Sequence, residues 1–270
     1  MQPADDSYAL GHSSRELKRL GRQAEIFGDM TRQIMTRAGI SPGMRVLDLG
    51  SGAGDVSFII SELVGPTGSV HGIDISPAAV GAATARAAAG GLKNVTFETA
   101  NMAAFPGYGE FDAVTGRFLL MHVPDAGPVL AGIARAMRKG ALLAFAEFDL
   151  DTVTASRELA LFRTCVDMII GVYKRAGFEP NMGSKLYDAY RAAGLAPDLA
   201  AFTRVGAGDA AGVEFLVESV RSLLPAMEKV GVATAAAIGI DTLGERLTAE
   251  AAAADACVFY PRLVGAWART

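Results

Sequence analysis

Val46-Leu47-Asp48-Leu49-Gly50-Ser51-Gly52-Ala53-Gly54-Asp55 is the stretch on which the fold turns. The break Ser41-Pro42-Gly43 precedes it, so Met44 to Leu49 is a short apolar run bounded by turn residues, as expected of a strand buried on both faces of a sheet. The helical pattern Val56 to Leu63 follows at once. Glycines between a buried strand and a helix let backbone N–H groups approach a ligand closely, because no Cβ stands in the way. A dinucleotide-binding turn, G-x-G-x-x-G, would carry its third glycine at 55. Asp55 stands there instead, and Asp48 just precedes the turn, so a pyrophosphate is disfavoured and a cationic group is welcome. Asp74 lies about twenty residues beyond the turn, the spacing of a carboxylate that accepts both hydroxyls of a ribose. Its other reading is a cap for the helix that begins at Pro77, a task for which Ser76 is better suited.

Outward from this turn the alternation repeats. Ser69 to Ile75, Asn94 to Glu98, Phe111 to Gly116 and Ala141 to Phe148 read as strands; Pro77 to Ala89 and Ala126 to Met137 read as helices. Strands alternating with helices predict a doubly wound α/β unit with a mostly parallel sheet, because parallel strands need right-handed crossovers. Residues 39–150 form this core of a single domain, 1–270. Residues 1–38 read as an N-terminal helical lid, with two helices between Ser13 and Ala38 broken near Gly28. Residues 151–230 read as a helical insertion (Ser156 to Ala176, Gly183 to Ala193, Val213 to Val230) with a strand over Leu199 to Val205, expected to cover the top of the sheet. Residues 231–270 read as a C-terminal helix and a closing edge strand, Cys257 to Ala268, interrupted by Pro261.

Composition narrows the function. With 25 Lys+Arg against 29 Asp+Glu, a formal charge of −4, and 51% hydrophobic residues, the chain is a globular protein with no basic footprint for nucleic acid or an anionic membrane surface. The acidic start lacks the features of a secretory signal and no apolar run approaches a membrane span, so a cytoplasmic location is expected. Cys165 and Cys257, far apart in apolar surroundings, read as buried free thiols and not as metal ligands. The second half carries enough apolar helix for a homodimer interface, although burial within the monomer is the default.

Taken together, these motifs resemble the class I S-adenosylmethionine-dependent methyltransferases, in particular bacterial members acting on small molecules. Val46 to Gly54 is similar to that family's glycine-rich motif, Gly72-Ile73-Asp74-Ile75-Ser76 to its acidic second-strand motif, and Phe111-Asp112-Ala113-Val114 to its fourth-strand motif. Leu119 to Asp125, Met137-Arg138-Lys139-Gly140 and the closing Leu263-Val264-Gly265-Ala266-Trp267-Ala268 resemble it too, as do Tyr8, Gly11-His12-Ser13, Glu16, Arg19-Leu20 and Gln23 in the leading helices. The resemblance implies a Rossmann-like sheet of seven strands and S-adenosylmethionine as cofactor, with S-adenosylhomocysteine as product and no metal. It implies that Asp48 lies near the amino acid part of the cofactor, that Gly50, Ser51, Gly52 and Gly54 line it, that Asp74 binds the ribose and that Ile75 packs on the adenine. Asn101-Met102 stands where the family usually has an acidic residue for the adenine amino group, and the Asn101 carbonyl oxygen can accept that bond. Gly116 and Arg117 pass beside the methionine portion; Arg117 reads either as a contact for the ligand carboxylate or as a surface salt bridge.

Methyl transfer from a sulfonium needs in-line approach of the nucleophile and little else. His122, after the fourth strand, reads either as a general base or as a structural hydrogen-bonding group at a helix start. Glu147 ends the fifth strand at the same edge and reads as a substrate contact or a plain salt bridge. Tyr8, His12, Met182 and Tyr187 are candidates for the substrate pocket, with exposed helix or core packing as the alternatives. Competing functions are a nicotinamide oxidoreductase of the same fold and a protein that retains the cofactor without transferring a methyl.

Overall fold

The computed structural model describes residues 14–207 and 210–270. The chain divides into two compact units: Ala24–Asp149, Asn181–Phe202 and Leu263–Thr270 form the sheet unit, while Leu150–Pro180 and Thr203–Arg262 belong to the other.

In the sheet unit, β1 (Arg45–Leu49), α2 (Asp55–Val64), β2 (Ser69–Asp74), α3 (Pro77–Ala89), β3 (Val95–Thr99), β4 (Ala113–Arg117), α4 (Ala126–Ala136) and β5 (Leu142–Asp149) follow α1 (Ser14–Ala38). They are completed by α6 (Met182–Ala192), β7 (Asp198–Phe202) and β10 (Arg262–Arg269). The strand order is β3-β2-β1-β4-β5-β10-β7. Strands β1 to β5 pair in parallel, β7 and β10 antiparallel. All eight residues of β5 and four of the five in β1 are buried, which is why these segments read as continuous apolar runs instead of alternating ones. Helix α3 begins as its sequence dictates, with Ser76 Oγ accepting the Ala79 N–H and Pro77 in the first turn. The chain runs outward from β1 to β2 and β3, then returns to the other side of β1 at β4. That reversal of strand order is the switch point at which open α/β sheets bind ligands, beyond the carboxyl ends of β1 and β4.

Four sequence expectations are corrected. Among the described residues, Ser14–Ala38 is one helix, α1, not two, because Gly28 is tolerated within it. The closing run is not an edge strand: β10 lies between β5 and β7, and β7 is the edge. Leu199 to Val205 divides into β7 in the large sheet and β8 (Val205–Ala207) in a second, three-stranded sheet of order β6-β9-β8, with β6 Thr154–Ala155 and β9 Cys257–Phe259. Helix α6, read from sequence as part of the insertion, belongs to the sheet unit. It is capped from β5 by Asp149, which accepts the Ser184 N–H and hydroxyl at 2.7 Å each.

The other unit packs α5 (Ala160–Arg175), α7 (Ala210–Lys229) and α9 (Leu243–Ala254) against one another, and holds the short α8 (Ala235–Ile238) and the small sheet as well. Both Glu250 oxygens accept N–H groups at the start of α5, from Leu161 and Phe162. No helix among the described residues is long and apolar enough to cross a membrane.

Candidate functional site

The carboxyl ends of β1, β2 and β4 gather the acidic and glycine residues of the motifs. Asp48 is buried on β1 and accepts a 2.6 Å hydrogen bond from the Ser57 hydroxyl of α2. Burial pushes its carboxyl up to about 7, against the pull of Ser57 and Arg117, with the charges of Asp74 and Asp55 adding to the rise. Asp74, at the end of β2, accepts the Gly52 N–H through one oxygen (2.9 Å) and the Ser76 N–H through the other (2.8 Å). It therefore ties the glycine turn to the start of α3, and each oxygen retains acceptor capacity. The next side chain, Ile75, is 71% exposed, an apolar plate left open at the strand end.

The three glycines of the turn do different work. Gly52 has a φ of +52° and nothing within 4 Å of where a Cβ would stand, so it presents bare backbone. A Cβ on Gly54 would overlap Phe58 and Phe97, so that glycine serves ring packing. Gly50 is met by Leu119, whose Cδ1 would lie 3.0 Å from an added Cβ. Ser51 Oγ is buried with no hydrogen-bond partner among the described residues. Arg86 of α3 holds the turn from behind: it donates to the Ala53 carbonyl at 2.5 Å, pairs with Asp55 at 2.8 Å and lies over the Phe58 ring.

At the end of β4, Arg117 donates to Thr31 Oγ1 of α1 at 2.8 Å, lies over the Phe118 ring and makes no ion pair among the described residues. Burial lowers its pKa, while Asp55 and Asp48 hold it up. This is not the surface salt bridge of the alternative reading. Gly116, whose Cβ would meet Phe145 at 2.7 Å, is small because the sheet packs there. Phe118 has a φ of +56°, a left-handed conformation uncommon for an aromatic residue, and its ring packs on Phe27 and Phe148 with centroids 5.2 and 4.7 Å away. Glu147 is fully buried and makes no salt bridge among the described residues; its Oε1 accepts the Leu119 and Leu120 N–H groups at 2.9 and 2.7 Å. Burial pushes its carboxyl up to about 8 despite the pull of those amides and that of Met121. His122 closes the 3-10 turn Leu120–His122 at the same edge.

Other expected residues are placed elsewhere or used locally. Asn101 Oδ1 accepts the Ala103 N–H and caps the short turn that begins with Met102, leaving its oxygen one further acceptor position. Met182 is buried at the start of α6, beside the Asp149 cap. By Tyr190, whose hydroxyl reaches the Leu143 and Ala266 carbonyls, α6 has run back to the beginning of β5, so the exposed Tyr187 stands below the carboxyl edge. Tyr8 and His12 lie outside the described residues, as does the side chain of Gln23. His71, read as core, clusters with the rings of Phe105 and Phe111, centroids 6.1 and 6.2 Å away, and is bonded to Thr96 and Glu98. Sequence reasoning missed Ser57, Arg86 and Phe118; their partners lie on other elements, and no local spacing marks them.

The chain matches the model of a methyltransferase domain over residues 40–194 and belongs to the class I S-adenosylmethionine-dependent methyltransferase family. It is 37% identical over 139 residues to aklanonic acid methyltransferase of a Streptomyces species, covering 51% of this chain and 62% of that one. It is 40% identical over 116 residues to nocamycin O-methyltransferase of Saccharothrix syringae, covering 42% and 41%. The matches thus span between about two fifths and three fifths of these relatives' length. The phosphoethanolamine N-methyltransferase 2 of Haemonchus contortus, solved with phosphomonomethylethanolamine and S-adenosylhomocysteine, shares the fold with a TM-score of 0.53 at 16% identity, covering 90% of this chain and 53% of that one.

Proposed function

We propose that this chain transfers the methyl group of S-adenosylmethionine to an oxygen, nitrogen or carbon of a small-molecule metabolite, and that it does so in the cytoplasm. The observation that carries the reading is the edge of β1, β2 and β4. There a bare Gly52 backbone, the unpartnered Ser51 hydroxyl, two carboxylates and an unpaired guanidinium stand beside an open apolar side chain. These groups match the parts of the cofactor: Asp74 for the ribose hydroxyls, Ile75 for the adenine face, Asn101 for its amino group, Asp48 for the positive amino acid end and Arg117 for its carboxylate. Asp48 and Asp55 at the turn oppose a pyrophosphate, which argues against a nicotinamide cofactor.

The cofactor supplies a methyl already activated on a sulfonium, so the chain's task is to hold and orient. Attack geometry is worth about 7–11 kcal/mol, and a base near the acceptor adds roughly 10²–10⁴-fold where the nucleophile carries a proton. His122 is the residue we assign to that proton. The relatives named for aklanonic acid and nocamycin support a small organic acceptor. The unpaired thiols of Cys165 and Cys257 support a reducing compartment.

Parallel calorimetric titration with S-adenosylmethionine, S-adenosylhomocysteine and NAD(P)H tests the reading. Binding of the first pair alone is expected; binding of NAD(P)H alone overturns it.

A further inference from the structure

The turn after β4 is held by a carboxyl from the neighbouring strand. The β4–β5 register sets Arg117 opposite Ala146, and the Phe118 N–H makes the last ladder bond, to the Ala146 carbonyl at 3.0 Å. At Phe118 the backbone swings through a left-handed conformation, and the amides that follow turn back toward β5. Leu119 and Leu120 donate to Glu147 Oε1, and the Met121 amide also pulls on this carboxyl. Amides at the opening of a helical turn have no carbonyl before them and need an outside acceptor. Glu147 supplies it from 27 or 28 residues away.

One Glu147 oxygen serves the turn, while its Oε2 is buried without a hydrogen-bond partner among the described residues. What the clamp holds in place is informative. Leu119, bound through its N–H, rests its side chain on Gly50 at the head of the glycine turn. Arg117 and Phe118, immediately before the clamp, carry the guanidinium that donates to Thr31 and the ring beneath it. We infer that Glu147 is a positioning residue for the cofactor: by accepting the Leu119 and Leu120 amides it sets Leu119 against Gly50 and fixes where Arg117 stands. The inference rests on the cofactor reading above for what is positioned, but not for the clamp itself.

The test compares Glu147→Leu, Glu147→Gln and Leu119→Ala in the full chain. It uses calorimetric titration with S-adenosylhomocysteine and amide exchange over residues 117–123. Glu147→Leu should weaken binding at least tenfold and deprotect the Leu119 and Leu120 amides. Glu147→Gln, which keeps an acceptor oxygen, should rescue both to within about threefold of the unsubstituted chain. Leu119→Ala should weaken binding with the clamp intact, and it decides the matter if Glu147→Leu does not fold. Binding by a folded Glu147→Leu or by Leu119→Ala within twofold of the unsubstituted chain overturns the inference, as does a Gln variant as impaired as Leu. Failure of the unsubstituted chain to bind S-adenosylhomocysteine defeats the cofactor reading instead. In that case, exchange protection kept in the Gln variant and lost in Leu upholds the clamp, and protection unchanged in Leu refutes it.

Discussion

Asp48 and Asp74 are both carboxylates at strand ends, yet their surroundings give them different chemistry. Asp74 accepts two backbone N–H groups, and it is the side chain we assign to the ribose. Asp74→Ala should weaken S-adenosylhomocysteine binding by about 10²-fold or more, since charge-assisted hydrogen bonds are worth roughly 1.5–3 kcal/mol each. Calorimetry reads this directly, and Asp74→Asn, which keeps one acceptor, should fall between. Asp48 is neutral over part of the working range because burial holds its carboxyl near 7. A cationic ligand favours the ionised form, so binding of S-adenosylmethionine should release a proton, and affinity should fall up to about tenfold per unit as pH drops below about 7. Titration in two buffers of different ionisation enthalpy measures the released proton; equal heats in both would contradict it. Asp48 and Asp74 were legible in the sequence because their motif positions are local. The neutral tendency of Asp48 was not, since it depends on what the sheet and α2 place around it.

At the scale of elements, close approach decides. A Cβ on Gly265 of β10 would overlap the Ile34 side chain of α1, so this glycine lets the helix lie against the strand. Gly265→Ala should cost about 1–3 kcal/mol by urea unfolding, and the double variant with Ile34→Ala should cost less than the sum of the two single changes if overlap is the cause. Asp149, capping α6 from β5, is the second such device. Asp149→Ala should cost about 1–2 kcal/mol and shift the unfolding midpoint accordingly. The sequence reading placed α3 at its observed limits because Ser76, Pro77 and the glycines after Ala89 are local punctuation. It misplaced β10 because Cys257 to Ala268 shows apolar character but not whether one partner or two will flank it.

For the whole molecule, the buried carboxyls set the response to pH. Asp48 and Glu147 both have folded-state pKa values above their ordinary ones, about 7 and about 8. Between the unfolded and folded values the native chain binds more protons than the unfolded chain, so this contribution is full below about 4 and is lost as pH rises to about 8. The melting temperature of the ligand-free protein should therefore include a component that falls from pH 5 to 8 and is diminished in Glu147→Gln; a component unchanged by that substitution would count against it.

The doubly wound core from Met44 to Asp149 could be read without coordinates. A strand buried on both faces must be apolar throughout, a helix start must be capped nearby, and the glycine turn with Asp48 and Asp74 lies within one strand–helix–strand unit. Tertiary structure alone assigned α6 to the sheet unit, inserted β10 between β5 and β7, turned Phe118 left-handed and gave Glu147 the amides of Leu119 and Leu120 instead of a charged partner. Periodicity along a chain encodes whether a side chain is buried. Which distant group it is buried against is settled only when the elements meet.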